Sequence, residues 1–119
     1  RATSIMKHFP KITEKVLPPM MDVDARAYLD DFVVSEDSDK PITSGLFRLE
    51  KGNQLTYTYT YHEMKLIIDG EFKIADETGT EVVATTGDLL YFPKGSTVTF
   101  STSDFGVGFF CGQRGKGEA

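Results

Sequence analysis

With 119 residues, 39% of them hydrophobic, the chain is long enough for one domain with a sizeable core and too short for two. Its formal charge of -5 argues against a nucleic-acid backbone or an anionic membrane as principal partner, and no apolar run approaches bilayer length. A single cysteine, Cys111, excludes an internal disulfide and a cysteine-built metal site, which fits a reducing, cytoplasmic setting.

Arg1 opens the chain with neither a methionine nor a signal-like apolar segment, so the native start is expected to lie upstream. Residues 1–24 have no clean period, and Pro10, Pro18 and Pro19 interrupt any helix by removing donors. They read as an extended arm with one short helical turn near Thr13–Val16. Residues 25–34 fit an acidic amphipathic helix or a strand, and Tyr28, Phe32, Val33 and Val34 tilt the reading towards a strand. The polar run from Ser35 to Lys40 is a solvated turn, because its Ser and Asp side chains can bond their own backbone. Ile42–Glu50 reads as a strand and Lys51-Gly52-Asn53 as a turn.

The most informative stretch is Thr56 to Gly70, T-Y-T-Y-T-Y-H-E-M-K-L-I-I-D-G. Strict alternation of β-branched and aromatic residues predicts a strand running on to Ile68, with a turn at Asp69-Gly70. Period two places Tyr57, Tyr59, Tyr61, Glu63, Lys65 and Ile67 on one face, with His62 on the other. A carboxylate, an ammonium and several phenols on one face form an acid/base constellation. A short strand Glu71–Ala75, a hairpin loop at Asp76–Gly79 and a returning strand Glu81–Thr85 follow. Leu89–Phe92, Thr97–Ser101 and Val107–Cys111 complete the strands, separated by turns at Gly87-Asp88 and Pro93–Ser96. Many short strands with glycine turns and almost no helix predict a sandwich or barrel. One domain is expected overall: an arm and first strand over 1–41, a core over 42–114 and a flexible tail over 115–119.

Two segments resemble the paired motifs of the cupin superfamily, small β-barrels of jelly-roll topology. In the first cupin motif a Glu is followed, after six residues, by a Gly, as in Glu63 and Gly70. The second reads Gly, five residues, Pro, one residue, Gly, as in Gly87, Pro93 and Gly95. The wording Tyr59-Thr60-Tyr61-His62-Glu63-Met64, Ile68-Asp69-Gly70-Glu71 and Phe92-Pro93-Lys94-Gly95-Ser96 is similar to the ethanolamine-utilisation EutQ branch. The likeness covers roughly Ile42 to Arg114. It implies an all-β double-stranded β-helix with an extended N-terminal arm, and a homodimer packed or exchanged through that arm.

Metal-binding cupins place two histidines before the motif-one Glu and a third after the motif-two Gly. Here those positions are Tyr57 and Tyr59, or Thr56 and Thr58, and then Val98. One carboxylate with a few hydroxyls is a poor set for a transition metal, so no cofactor is expected. The expected function is a metal-independent cupin enzyme of lyase, dehydratase or isomerase type acting on a small organic molecule. Glu63, Lys65 and Tyr61 are its candidate catalytic groups, and Tyr57, Tyr59, Tyr91, Arg48 and Phe100 its candidate substrate contacts. Two alternatives stand beside it. One is a non-catalytic EutQ-like binding or accessory module, whose pocket would be filled by aromatic rings with Glu63 and Lys65 neutralising one another. The other is a metalloenzyme with a non-standard site including Glu63. Nothing in the chain resembles a nucleotide-binding motif.

Overall fold

A computed structural model describes residues 5–119. Eight antiparallel strands follow the arm: β1 (Ala27–Val34), β2 (Thr43–Glu50), β3 (Leu55–Thr58), β4 (Glu63–Asp76), β5 (Glu81–Thr85), β6 (Leu89–Phe92), β7 (Thr97–Ser101) and β8 (Phe105–Gly112). The short helical turn expected in the arm is a 3-10 turn at Ile12–Glu14. Among the described residues, no helix is long and apolar enough to cross a membrane.

The strands form two sheets that share β4. Its first half pairs with β6 and β8, and β8 leads on to β2 and β1. Its second half pairs with β5 and β7, and β7 leads on to β3. The turn expected at Asp69-Gly70 is therefore a corner inside one long strand, not a strand end. The register against β8 slips between Ile67 and Asp69, and a bulge of this kind bends a strand without ending it. Gly70 completes the corner at φ 66, and a Cβ there would lie 2.1 Å from the Phe105 carbonyl oxygen.

The second departure lies in the Tyr/Thr stretch, where β3 ends at Thr58 and β4 begins only at Glu63. Residues 59–62 cross from one sheet to the other without ladder partners. They are held instead by the turn after β6: Tyr59 N–H donates to the Ser96 carbonyl at 2.8 Å, and Gly95 N–H donates to the Tyr59 carbonyl at 2.7 Å. His62 Nδ1 accepts from Lys94 N–H at 3.1 Å and lies 3.0 Å from the Tyr91 hydroxyl. Accepting at Nδ1 leaves the neutral ring its proton on Nε2.

Inward residues of both sheets meet in an aromatic core. Phe47 stacks on Phe72 at 5.7 Å between centroids, and both meet Phe100 at 5.5 and 6.1 Å. Offset and edge contacts of this kind add about 0.5–1.5 kcal/mol each beyond the area they bury. β8 supplies space rather than bulk, since Gly106, Gly108 and Gly112 face inward on either side of Phe110.

Candidate functional site

Glu63 and Lys65 begin β4, two residues apart, and both side chains project into the barrel with 4% of their surface exposed. Lys65 Nζ lies 3.3 Å from Glu63 Oε2. The Tyr59 hydroxyl donates to the same oxygen at 2.6 Å, the short separation typical of a charge-assisted bond. A phenol and an ammonium thus converge on one carboxylate oxygen. Around the ammonium stand three rings, with Nζ 4.5 Å from the centroid of Phe47, 4.6 Å from Phe100 and 5.6 Å from Phe92. Faces of aromatic rings attract a cation, most strongly where water is excluded.

Space for the lysine stem comes from β8. A Cβ on Gly108 would sit 2.9 Å from both Cγ and Cδ of Lys65, and one on Gly112 would sit 3.1 Å from the Tyr61 ring. These glycines make room for side chains rather than for an unusual backbone, since neither has a positive φ. The phenols form the opposite wall. Tyr59 stacks on Phe92 at 5.0 Å and meets Tyr57 and Tyr61 edge-on at 4.8 and 5.5 Å. The Tyr57 and Tyr61 hydroxyls are 3.0 Å apart.

Burial perturbs the titration of this cluster. Desolvation pulls the Lys65 ammonium below its usual range, and the adjoining Glu63 carboxylate offsets only part of that. Burial, and then the Glu63 charge, push the Tyr59 phenol well above its ordinary value. Burial and the Tyr57 hydrogen bond raise Tyr61 likewise. The cavity enclosed by these groups is small, about 30 Å³, with Met20 of the arm and Ala119 of the tail among its lining residues. That is room for about one or two water-sized groups as the side chains stand.

The face predicted from alternation is the inward face: Tyr57, Tyr59, Tyr61, Glu63, Lys65 and Phe100 all line this cavity. Tyr91 and Arg48, expected as substrate contacts, do not reach it. Tyr91 pairs in register with Met64 and shares its outward orientation, so Phe92, opposite Glu63, is the inward residue of β6. Arg48 lies on the outside of β2, 3.1 Å from Glu50 and 4.6 Å above the Phe105 ring. Cys111 also faces outward, half-buried beside Ser44, Ile42 and Val33.

Arg114, which no motif singles out, is the other buried cation among the described residues. Nη1 and Nη2 donate to the two Asp31 oxygens at 2.8 and 2.9 Å, and the guanidinium packs 5.3 Å from the Tyr61 ring and 5.4 Å from Phe110. Gly117 N–H donates to the same carboxylate at 2.6 Å, tying residues beyond β8 to β1. The carboxylate's burial works against its ionisation, but these bonds outweigh it and hold Asp31 below the usual range.

The residues present do not suit a metal. Among the described residues no three His, Cys, Asp or Glu side chains come together, and the one carboxylate in the cavity already has an ammonium against it. A cation placed there would meet Lys65 and neutral phenols rather than imidazoles.

Known proteins resemble the chain in both sequence and fold. Residues 15–110 match the family model described as ethanolamine utilisation protein EutQ, so the likeness extends back into the arm. The curated acetate kinase EutQ of Clostridioides difficile (strain 630) is 34% identical over 80 residues, covering 57% of this chain and 50% of that protein. The chain therefore spans half the length of that relative. The solved structure of the Clostridium difficile EutQ protein superposes with a TM-score of 0.64 at 28% identity, covering 76% of this chain and 64% of the other. The cupin domain of Schizosaccharomyces pombe Cnp3, at 7% identity, shares the fold alone, with a TM-score of 0.70 over 88% of this chain and 68% of the other. With two sheets sharing β4 and a family match spanning most of its length, this chain belongs to the EutQ family of cupins.

Proposed function

We propose that the barrel is a metal-independent acid/base site acting on a small organic molecule, in a reaction of lyase, dehydratase or isomerase type. One observation carries this reading: the Tyr59 hydroxyl and the Lys65 ammonium converge on a single oxygen of Glu63 inside a barrel lined mostly by rings. Burying an ion pair gains little over packed hydrophobic residues, so stability alone gives weak reason to keep one there. Glu63 is the proton-accepting group, Tyr59 holds the carboxylate in place, and Lys65 balances its charge or delivers a proton. Tyr61 and Tyr57 present hydroxyls to the substrate. The acetate kinase activity in the relative's name is not proposed for this cavity, where a transferring phosphoryl group would face a carboxylate and phenols.

A second reading, a EutQ-like accessory module without catalysis, has its own support in the small cavity and the mutual neutralisation of Glu63 and Lys65. Proton exchange separates the two. The protein, incubated in deuterated water with small aldehydes, ketones and hydroxy acids, is expected to label carbon next to a carbonyl, and Glu63→Gln to abolish the labelling. Labelling that survives Glu63→Gln refutes the role of Glu63; its absence with every compound leaves the accessory module. A homodimer is proposed here not through the arm that the family likeness implies but across the outside of β4 and β6, where Met64, Leu89 and Tyr91 are 55%, 69% and 53% exposed. Sedimentation of the protein against Leu89→Lys tests it.

A further inference from the structure

We propose that Lys65 captures small aldehydes as an imine, using Glu63 as the proton carrier. This rests on the acid/base reading of the cavity and names its substrate class.

The geometry supplies what imine formation requires. A lysine reacts with a carbonyl only as the free amine, and desolvation beside an internal proton acceptor provides that form without solvent hydroxide. Lys65 Nζ, 3.3 Å from Glu63 Oε2, can pass its proton to the carboxylate within the cavity, converting an ion pair into a neutral pair. The direction in which burial moves the Lys65 pKa favours that transfer.

The nitrogen lone pair then attacks the carbonyl carbon, and the C–O double bond becomes a single bond. Glu63 gives its proton to the new alkoxide and takes one from the nitrogen, leaving a neutral carbinolamine. It passes that proton to the hydroxyl, which leaves as water as the C–N double bond forms. The balance is an ammonium and an aldehyde giving a protonated imine and water, with Glu63 again a carboxylate.

The product suits the site better than free solution suits it. It keeps one positive charge at the same nitrogen, opposite the same carboxylate and within the same ring faces of Phe47, Phe92 and Phe100. Volume sets the selectivity: about 30 Å³, the space of one or two waters, limits capture to the smallest aldehydes and excludes a sugar or an aromatic aldehyde. Lys73, by contrast, sits at the surface 3.6 Å from Glu81, where water competes for both groups.

Reductive trapping tests this on the unaltered protein. The chain is incubated with acetaldehyde and cyanoborohydride near neutral pH for short times, and N-ethyl groups are located by peptide mass spectrometry. Lys65 is expected to be alkylated at least on the order of tenfold faster than Lys73, the gain general acid/base assistance can supply. Benzaldehyde in its place is expected to label surface lysines and spare Lys65. The imine is overturned if Lys65 stays unmodified while exposed lysines are converted, since plain burial protects an amine, or if benzaldehyde labels it equally. Glu63→Gln is expected to slow labelling at Lys65 and leave Lys73 unchanged; an unchanged rate at Lys65 overturns the carrier role. Unlabelled Lys65 with Glu63-dependent deuterium exchange defeats the imine alone. Loss of both defeats the acid/base reading with it.

Discussion

Replacing Glu63 by Gln tests the electrostatics of the cavity. Glutamine fills the same space and can still accept from Tyr59, so the change removes chiefly the charge opposite Lys65. Burial already lowers the Lys65 pKa, and the Glu63 carboxylate opposes that fall by its charge and its hydrogen bond. Without it the folded protein must hold the amine neutral or bear a buried unpaired charge. The unfolded chain keeps its proton up to the ordinary value of 10.5. At about pH 7 the penalty is bounded near 5 kcal/mol, at about 1.4 kcal/mol per pH unit. That agrees with the roughly 3–5 kcal/mol expected when one partner of a buried pair is removed.

The sign of the pH dependence follows. Below 10.5 the unfolded state binds one proton more than the folded variant, so stability rises with pH and the penalty fades as 10.5 is approached. The native pair shows the same slope only over the shorter interval between its own lowered pKa and 10.5. Urea denaturation at successive pH values, with unchanged m-values, measures this directly. Adding Lys65→Met to Glu63→Gln is expected to abolish the slope and recover most of the stability, because methionine packs against Phe47, Phe92 and Phe100 without a charge. A flat profile for Glu63→Gln, or a double variant less stable than the single one, would refute the argument.

Arg114→Met should cost about 3–5 kcal/mol by leaving the Asp31 carboxylate buried without its partner. Asp31 is lowered in the native protein, so its contribution is present above the ordinary 3.8 and lost as pH falls through the lowered value; the variant should instead regain stability relative to the native chain on acidification, read by thermal melts. Gly108→Ala should cost about 1–3 kcal/mol in urea, since the new methyl meets Lys65 Cγ and Cδ at 2.9 Å; a neutral effect would mean that the lysine stem has slack. Tyr59→Phe removes a donor to a charged oxygen and should cost about 1.5–3 kcal/mol, against about 0.5–1.5 for Tyr61→Phe, whose hydroxyl pairs with the Tyr57 phenol. The reverse order in chemical denaturation would show that Glu63 does not depend on Tyr59.

Alternation alone picked out the inward row from Tyr57 to Ile67, because period two is a property of the extended backbone and needs no partner. The all-β architecture was legible for the same local reason, and turn residues marked most strand ends. What local pattern could not reveal was that Tyr59–His62 belongs to no strand. Its path depends on the turn after β6, and the residues that fix it, Lys94 to Ser96, lie more than thirty positions away. The same limit applies to Tyr91: a four-residue strand carries too short a pattern to choose its inner face, and pairing with Met64 and Glu63 chooses it.

Charge was equally ambiguous in sequence. Arg48 and Arg114 look alike in a list, yet one sits in water against Glu50 while the other is sealed against Asp31, 83 positions earlier. That Lys65 and Tyr61 need the volume which a Cβ on the β8 glycines would take is visible only once β4 and β8 are paired. The sequence by itself determined which side chains share a face. The tertiary structure alone decided which face is dry, how much space is left in it and which charges meet there, because burial and pairing are relations between distant segments.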